Sequence, residues 1–164
     1  ELRPSGPSGP IRTKTNPHRI HELPQNQRFL WGDLHGGQSE IGCGAGSLDH
    51  HCAYARDVAG VQFTSQQAND HYITAALWQH VCDVTPRYNS PNCLAFLGCE
   101  WSPYTQDGGD RNVIYLTDEA ALHRSDRFFE ETDPDSTADL RQAPEFLQSF
   151  RTRAVRALVV RGDV

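Results

Sequence analysis

Three short polar clusters each follow an apolar segment with strand propensity, and this placement limits the folds that the chain can adopt. In chain order they are Asp33 and His35 after 28–32, Asp70 and His71 after 61–65, and Glu100 after 93–98. The carboxyl ends of parallel strands meet at one edge of a sheet or one rim of a barrel. Carboxylates and imidazoles gathered there are ligands that suit divalent transition metals. The pattern therefore predicts an α/β scaffold with a metal site at one rim.

Helical segments separate the predicted strands. After the second strand come a helix from Thr74 to about Val84, the third strand, a strand at 111–117, a short helix at 118–123, a helix from 143 to about 152 and a strand at 157–160. An earlier helix, 48–59, has Ser47 as its N-cap and Gly60 just past its end, as helix termini favour. This alternation predicts βαβ units around a largely parallel sheet or barrel.

The first 27 residues differ from the rest of the chain. They contain five prolines and the run Pro-Ser-Gly-Pro-Ser-Gly-Pro, which favours a linker or the tail of a preceding domain. We therefore predict one domain over 28–164, with ordered structure beginning at Arg28. The chain begins at Glu1 and contains no Met, so we expect it to be a piece of a longer protein.

Composition excludes several classes of partner. The 15 basic and 21 acidic residues give a net charge of -6, which disfavours nucleic acid as a partner. No apolar run approaches the roughly 18 residues that a membrane span needs, so no membrane partner is expected. The five cysteines have irregular spacing without Cys-x-x-Cys, which fits neither a disulfide framework nor a zinc finger. We expect reduced thiols and a cytoplasmic location.

Each polar cluster also allows a structural explanation. Asp33 and His35 alternate, which places both side chains on one face of an extended segment, but Asp33 could instead cap the loop through adjacent backbone amides. Asp70 and His71 could cap the helix that follows them. Glu100 ends an apolar segment, and a buried carboxylate must be paired, hydrogen-bonded or metal-bound.

Residues 29–112 resemble the PHP (polymerase and histidinol phosphatase) superfamily, and within it a PHP-like branch known only as a domain of unknown function. The family motifs that match, in order, are Gly-Asp-Leu-His at 32–35, Asp-His at 70–71 and Gly-Cys-Glu-Trp at 98–101. The resemblance to the branch extends through 39–42, 54–57 and 108–113. It implies a distorted (β/α)7 barrel that gathers a multinuclear metal cluster at its rim and hydrolyses phosphate esters.

The same resemblance implies roles for individual residues. The implied ligands of Zn²⁺, Mn²⁺ or Fe²⁺ are His35, His71 and Glu100, with Asp33, Asp70 and Asp110 as further candidates. Asp33 and Asp70 could instead orient the ligand histidines, and both are candidate catalytic residues. Arg111 is a candidate contact for a substrate phosphate, with a solvated or sheet-edge arginine as the alternative. The expected partner is a small-molecule phosphate ester, hydrolysed by a metal-activated water.

Two departures from the family pattern weaken the predicted site. Gly37 stands where the His-x-His motif has its second imidazole, and Arg161–Val164 stands where a later ligand His is expected. We therefore expect a partial barrel that lacks C-terminal strands, with 157–160 as a short strand on a sheet edge. We also expect little or no phosphatase turnover from this chain. The alternative is a non-catalytic remnant or binding module that retains the first strands of the fold.

Overall fold

The computed structural model describes residues 5–6, 9–10, 29–36, 39–42, 44–103, 109–125 and 140–161. Its strands are β1 (Ser5–Gly6), β2 (Gly9–Pro10), β3 (Gly32–Asp33), β4 (Phe63–Ser65), β5 (Leu94–Phe96), β6 (Gly98–Trp101), β7 (Arg111–Tyr115) and β8 (Ala157–Arg161). Its α-helices are α1 (Leu48–Ala53), α2 (Ala75–Val84) and α3 (Ala143–Thr152). A π-helical segment, Tyr54–Ala59, continues α1, and 3-10 helices cover Asp70–Tyr72 and Thr85–Tyr88. The fold is mixed α/β.

The strands form two small sheets of different kinds. In the first, β3, β4 and β5 pair in parallel, with α1 before β4 and α2 before β5, so the predicted βαβ pattern is confirmed there. In the second, β6, β7 and β8 pair antiparallel, so the expectation of a largely parallel sheet is wrong for this half. Within the described residues the strands do not close into a barrel. The remaining pair, β1 and β2, is antiparallel.

The helix ends follow the capping residues in the sequence. The Ser47 hydroxyl accepts a 3.1 Å hydrogen bond from the amide of His50, and the Thr74 hydroxyl accepts one of 3.2 Å from Leu77. Gly60 ends the π-helical continuation of α1 with a φ of +63°, a left-handed conformation that favours glycine. The predicted helices beginning after Ser47 and Thr74, and the one at 143–152, are confirmed.

Several predicted strand boundaries are wrong. The first strand covers only Gly32–Asp33, because the preceding 29–31 segment is exposed and forms no ladder. The second and fourth predicted strands are shorter than expected, at 63–65 and 111–115. The third is divided at Leu97, with β5 before it and β6 after it. Glu100 therefore lies inside a strand rather than after one.

The short helix predicted at 118–123 is not formed. The indole Nε1 of Trp78 donates a 2.7 Å hydrogen bond to the carbonyl of Ala120. The hydroxyl of Thr117 donates one of 2.8 Å to the carbonyl of Glu119. These carbonyls therefore accept hydrogen bonds from side chains, and tertiary packing overrides the weak local helix propensity.

The main core lies on one face of the second sheet. Cys99 and Trp101 of β6 alternate with Glu100, and both are fully buried. The Trp101 ring stacks on Phe146 of α3 with ring centroids 4.5 Å apart, a separation typical of stacked aromatic pairs. The opposite face of this sheet carries Glu100 and Asn112, so the core holds in place the strands that present these polar side chains.

Strand β8 forms the outer edge of the second sheet, as predicted for 157–160. Its side chains alternate, and those of Leu158 and Val160 are 49% and 48% exposed. The expected domain limits and the Pro-rich lead at 1–27 fall largely outside the described residues.

Cys52, Cys82, Cys93 and Cys99 are free thiols, and Cys43 lies outside the described residues. Burial raises the pKa of Cys52 to about 12, which keeps this thiol protonated and unreactive at neutral pH.

In the part of the chain that the structure describes, no helix has the length and apolar character to cross a membrane.

Candidate metal site

His35 lies in the bend that follows β3, and its side chain contacts β7. Its Nδ1 lies 2.7 Å from Oδ1 of Asn112, a buried residue. An amide oxygen can only accept a hydrogen bond, so this contact favours a proton on Nδ1 and a lone pair on Nε2. This is the tautomer in which a histidine binds metal through Nε2.

Glu100 lies on the same face of the second sheet as Asn112. The two residues are directly opposite each other in the antiparallel β6–β7 register, which places their side chains side by side. Oε2 of Glu100 accepts a 2.6 Å hydrogen bond from Nδ2 of Asn69. Asn69 also pairs with Glu100 through a parallel β-bridge, so the segment that follows β4 holds this carboxylate in place.

Acidic neighbours surround the half-buried carboxyl of Glu100. Burial raises its pKa above the ordinary value, and the nearby His35 opposes this increase. Asp110 and Asp70 raise the pKa of Glu100 further. His35, Asp70 and Asp110 are therefore each close enough to Glu100 to influence its ionisation.

Asp33 lies at the end of β3, close enough to α1 to influence His51 electrostatically. It pairs with Thr64 in the parallel β3–β4 register, and the Thr64 hydroxyl lies 3.4 Å from Nε2 of His51 on α1. Burial lowers the pKa of His51, while the Asp33 carboxylate opposes this decrease. Oδ1 of Asp33 also accepts a 2.9 Å hydrogen bond from the amide of His35. Strand β3 ends at Asp33, so the strand alternation predicted for Asp33 and His35 does not extend to His35. The hydrogen bond from the His35 amide matches the alternative in which Asp33 caps the loop.

Asp70 is fully buried and joins three segments of the chain. Its Oδ1 accepts a 3.0 Å hydrogen bond from the amide of Ser102, and its Oδ2 accepts one from the amide of Ser125. Each carboxylate oxygen therefore satisfies a backbone donor on a different loop. Asp70 orders the backbone around Glu100 whether or not it also contacts a metal ion.

His71 lies beside Asp70 in the 3-10 helix. Its Nδ1 is 3.5 Å from Oδ1 of Asp70, and its ring centroid is 5.0 Å from that of Tyr72. The side chain is partly buried. The tight turn of the 3-10 helix sets the direction of this ring, which sequence spacing alone does not specify.

Arg111 lies on the opposite face of β7 from its neighbour Asn112. Its guanidinium lies over the Trp101 ring, 5.7 Å from the centroid, and Nη1 donates a 2.7 Å hydrogen bond to the carbonyl of Gly109. Trp101 belongs to the core face, whereas Glu100 faces the other way. The Arg111 side chain therefore lies on the face of the sheet opposite Glu100.

The predicted ligands form only part of a metal site. Among the described residues, no three His, Cys, Asp or Glu side chains are grouped so that they could hold a metal ion. The predicted convergence of His35, His71 and Glu100 is therefore not seen. The donors whose chemistry suits a divalent ion are Nε2 of His35 and the carboxylate of Glu100. Gly37, where the motif lacks an imidazole, lies outside the described residues.

Sequence interpretation missed three residues of this region, namely Asn69, Asn112 and His51. Asn69 and Asn112 each flank a predicted site residue in sequence, and an amide in that position can orient a ligand. His51 gave no such signal, since it is one of two adjacent histidines at the start of a helix. Its place beside Asp33 and Thr64 depends on the packing of α1 on the first sheet.

Comparisons of this chain with protein-family models, with curated proteins and with solved structures found no match. The resemblance to PHP proteins therefore rests on the sequence motifs described above.

Proposed function

We propose that this chain is a PHP-like metal-dependent phosphoesterase domain whose metal site is weak. The observation that carries the proposal is that Asn112 neighbours both candidate ligands, which come from different sheets. It contacts Nδ1 of His35, which favours the metal-binding tautomer, and it lies opposite Glu100, a half-buried carboxylate. In this proposal the βαβ half and the antiparallel half belong to a partial, distorted (β/α)7 barrel.

The charges around Glu100 support a cation at this position. Asp70 and Asp110 both raise its pKa, which means that the carboxylates repel one another when all are ionised. A divalent Zn²⁺, Mn²⁺ or Fe²⁺ ion would relieve that repulsion. When bound, such an ion supplies an activated water and neutralises charge on a phosphoryl group. His35 and Glu100 would hold it, with Asp110 as a further candidate.

The proposed substrate is a small-molecule phosphate ester, and the proposed location is the cytoplasm. Free thiols at Cys52, Cys82, Cys93 and Cys99 agree with a reducing compartment. The proposed activity is slow, because the described residues include no group of three side chains that could hold a metal ion.

A non-catalytic binding module is the second candidate function. Asp70 favours it, because both of its carboxylate oxygens already accept hydrogen bonds from backbone amides. In this case Asp70, which the family resemblance implies as a candidate metal ligand, serves to hold two loops together. In this case the fold would retain the strands of a metallohydrolase without its metal chemistry.

Titration calorimetry with Zn²⁺ and Mn²⁺, together with hydrolysis of p-nitrophenyl phosphate, separates the two functions. We expect about one ion bound per chain and slow, metal-dependent hydrolysis at most. His35→Ala and Glu100→Gln should each weaken metal binding by at least roughly tenfold, since even the loss of an orienting partner costs that much. His80→Ala, on the exposed side of α2, is the matched control. Absence of metal binding and of turnover in the folded wild-type chain would favour the binding module instead.

A further inference from the structure

Asn112 connects the two sheets at the candidate site. It belongs to β7 of the second sheet, yet its side chain bonds to His35 at the end of the first sheet. The separation of 2.7 Å lies at the short end of the ordinary range for N–H···O hydrogen bonds. Its backbone is fixed on both sides, because β7 pairs with β6 and with β8. The amide is therefore held on the central strand of its sheet.

The position opposite Glu100 suits an asparagine for an electrostatic reason. An amide oxygen orients the imidazole without adding a negative charge to the carboxylates near Glu100. A basic residue there would compete with a metal ion for Glu100. A leucine of similar size would leave Nδ1 of His35 without an acceptor.

We propose that Asn112 is a positioning residue that fixes His35 in the tautomer with Nε2 free to bind a divalent metal ion. The inference rests on the proposed function, since it concerns a ligand of the same metal site. It assigns to the Asn of Asp-Arg-Asn-Val a role that the sequence motifs alone do not give. Asn112 acts through His35 and does not itself contact the metal.

The tautomer can be measured without any metal. Long-range ¹H–¹⁵N correlation spectra of metal-free protein, at a pH well above the ordinary histidine pKa of about 6.5, show which ring nitrogen carries the proton. We expect the Nδ1–H form for His35 in the wild-type chain. In Asn112→Leu we expect the Nε2–H form, which an imidazole favours in water. Asn112→Asp keeps an acceptor at the same place and should retain the Nδ1–H form.

Zn²⁺ affinity gives the second measurement. Loss of a residue that orients a metal-binding histidine typically costs 10- to 100-fold in affinity, so Asn112→Leu should weaken Zn²⁺ binding by roughly that factor. Asn112→Asp should keep the affinity at or above that of the wild type. Asn92→Leu, in an exposed turn, applies the same substitution away from the site and should change neither measurement.

The outcomes distinguish this inference from the proposed function. The positioning role is supported if His35 has the Nδ1–H form in the wild type and the Nε2–H form in Asn112→Leu. This holds even if no Zn²⁺ binds, because a failure to bind Zn²⁺ would count against the proposed metal site and not against the positioning role. The Nε2–H form of His35 in the wild-type chain would overturn the inference. So would an unchanged tautomer in a folded Asn112→Leu. Should the leucine variant fail to fold, the wild-type spectrum still tests the inference, because the Nε2–H form of His35 there would overturn it.

Discussion

Gly98 packs directly against the side-chain amide of Gln67, and no side chain larger than hydrogen fits between them. A Cβ at Gly98 would overlap Nε2 of Gln67 and the hydroxyl oxygen of Ser65. The buried Gln67 amide donates hydrogen bonds to Ser65 and to the carbonyl of Val113, at 2.8 and 3.3 Å. This contact joins the end of β4 to β7 and so helps to fix the position of the two sheets relative to each other at the candidate site.

Gly98→Ala should therefore destabilise the protein. Inserting a methyl group into a packed interior typically costs about 1–3 kcal/mol, and urea unfolding should show a loss of that size. The double variant Gly98→Ala with Gln67→Ala should lose less than the sum of the two single variants, because the part of the overlap that involves Gln67 is then removed. Strict additivity would show that the Gly98 contact with Gln67 is not the cause.

Asp70→Asn tests whether Asp70 supports the backbone. The amide group keeps one acceptor oxygen and places a donor against the second backbone N–H, from Ser102 or Ser125. A buried donor left unpaired costs about 1–3 kcal/mol, so the free energy of unfolding should fall by about that amount. Asp118→Asn, an exposed carboxylate, is the matched control and should change stability little. Equal stability of the two variants would contradict the structural role.

His123 makes the fold sensitive to acid. It is fully buried beside Phe150, with Nδ1 3.2 Å from the Tyr115 hydroxyl. Burial, aided by the charge of Arg153, lowers its pKa to about 4. An unfolded chain has a histidine pKa of about 6.5, so between these values the unfolded state binds the proton that the folded state excludes.

The contribution of neutral His123 to the free energy of unfolding is therefore fully present above about pH 6.5. It is lost as the pH falls toward about 4. A single titrating group gives a slope of at most about 1.4 kcal/mol per pH unit. Unfolding curves recorded across this window should show that decrease in the wild-type chain and a shallower one in His123→Leu. Parallel pH profiles for the two proteins would exclude His123 as the source.

The helices were the most predictable part of the fold. Ser47, Gly60 and Thr74 are local signals, since a cap interacts with residues only a few positions away. The second sheet was less predictable, because Gly-Cys-Glu-Trp is too short for its alternation to stand out. Antiparallel pairing of β6 with β7 depends on residues far apart in sequence. The incorrect helix at 118–123 has the same origin, namely the contact between Trp78 and Ala120.

For the candidate site, residue types were predictable and their partners were not. The motifs singled out His35 and Glu100, because imidazole and carboxylate are the groups that bind metals. Their supporting asparagines come from other elements, Asn112 from β7 and Asn69 from the segment after β4. Such partners become visible only when the two sheets are brought together. The turn after Asp33 likewise depends on a bend that overrides strand alternation.

Gly37→His should strengthen metal binding. Gly37 occupies the position where the His-x-His motif supplies a second imidazole, two residues after His35. Adding this donor to His35 and Glu100 would raise the number of grouped ligands from two to three, the smallest protein set found at catalytic zinc sites. Because loss of an orienting partner alone changes affinity by roughly 10- to 100-fold, gain of a ligand should tighten Zn²⁺ binding by at least tenfold.

Calorimetry with Zn²⁺, with Gly44→His as the control, checks this prediction. Gly44 is exposed and lies outside the motif, so a histidine there tests whether any added imidazole near the loop is sufficient. Tighter binding in Gly37→His alone, abolished again by Glu100→Gln in the same chain, would tie the new ligand to the existing site. An equal gain in both histidine variants would instead indicate surface binding. No gain in either would mean that His35 and Glu100 do not form the start of a metal site, and the binding module would then be the better account of this fold.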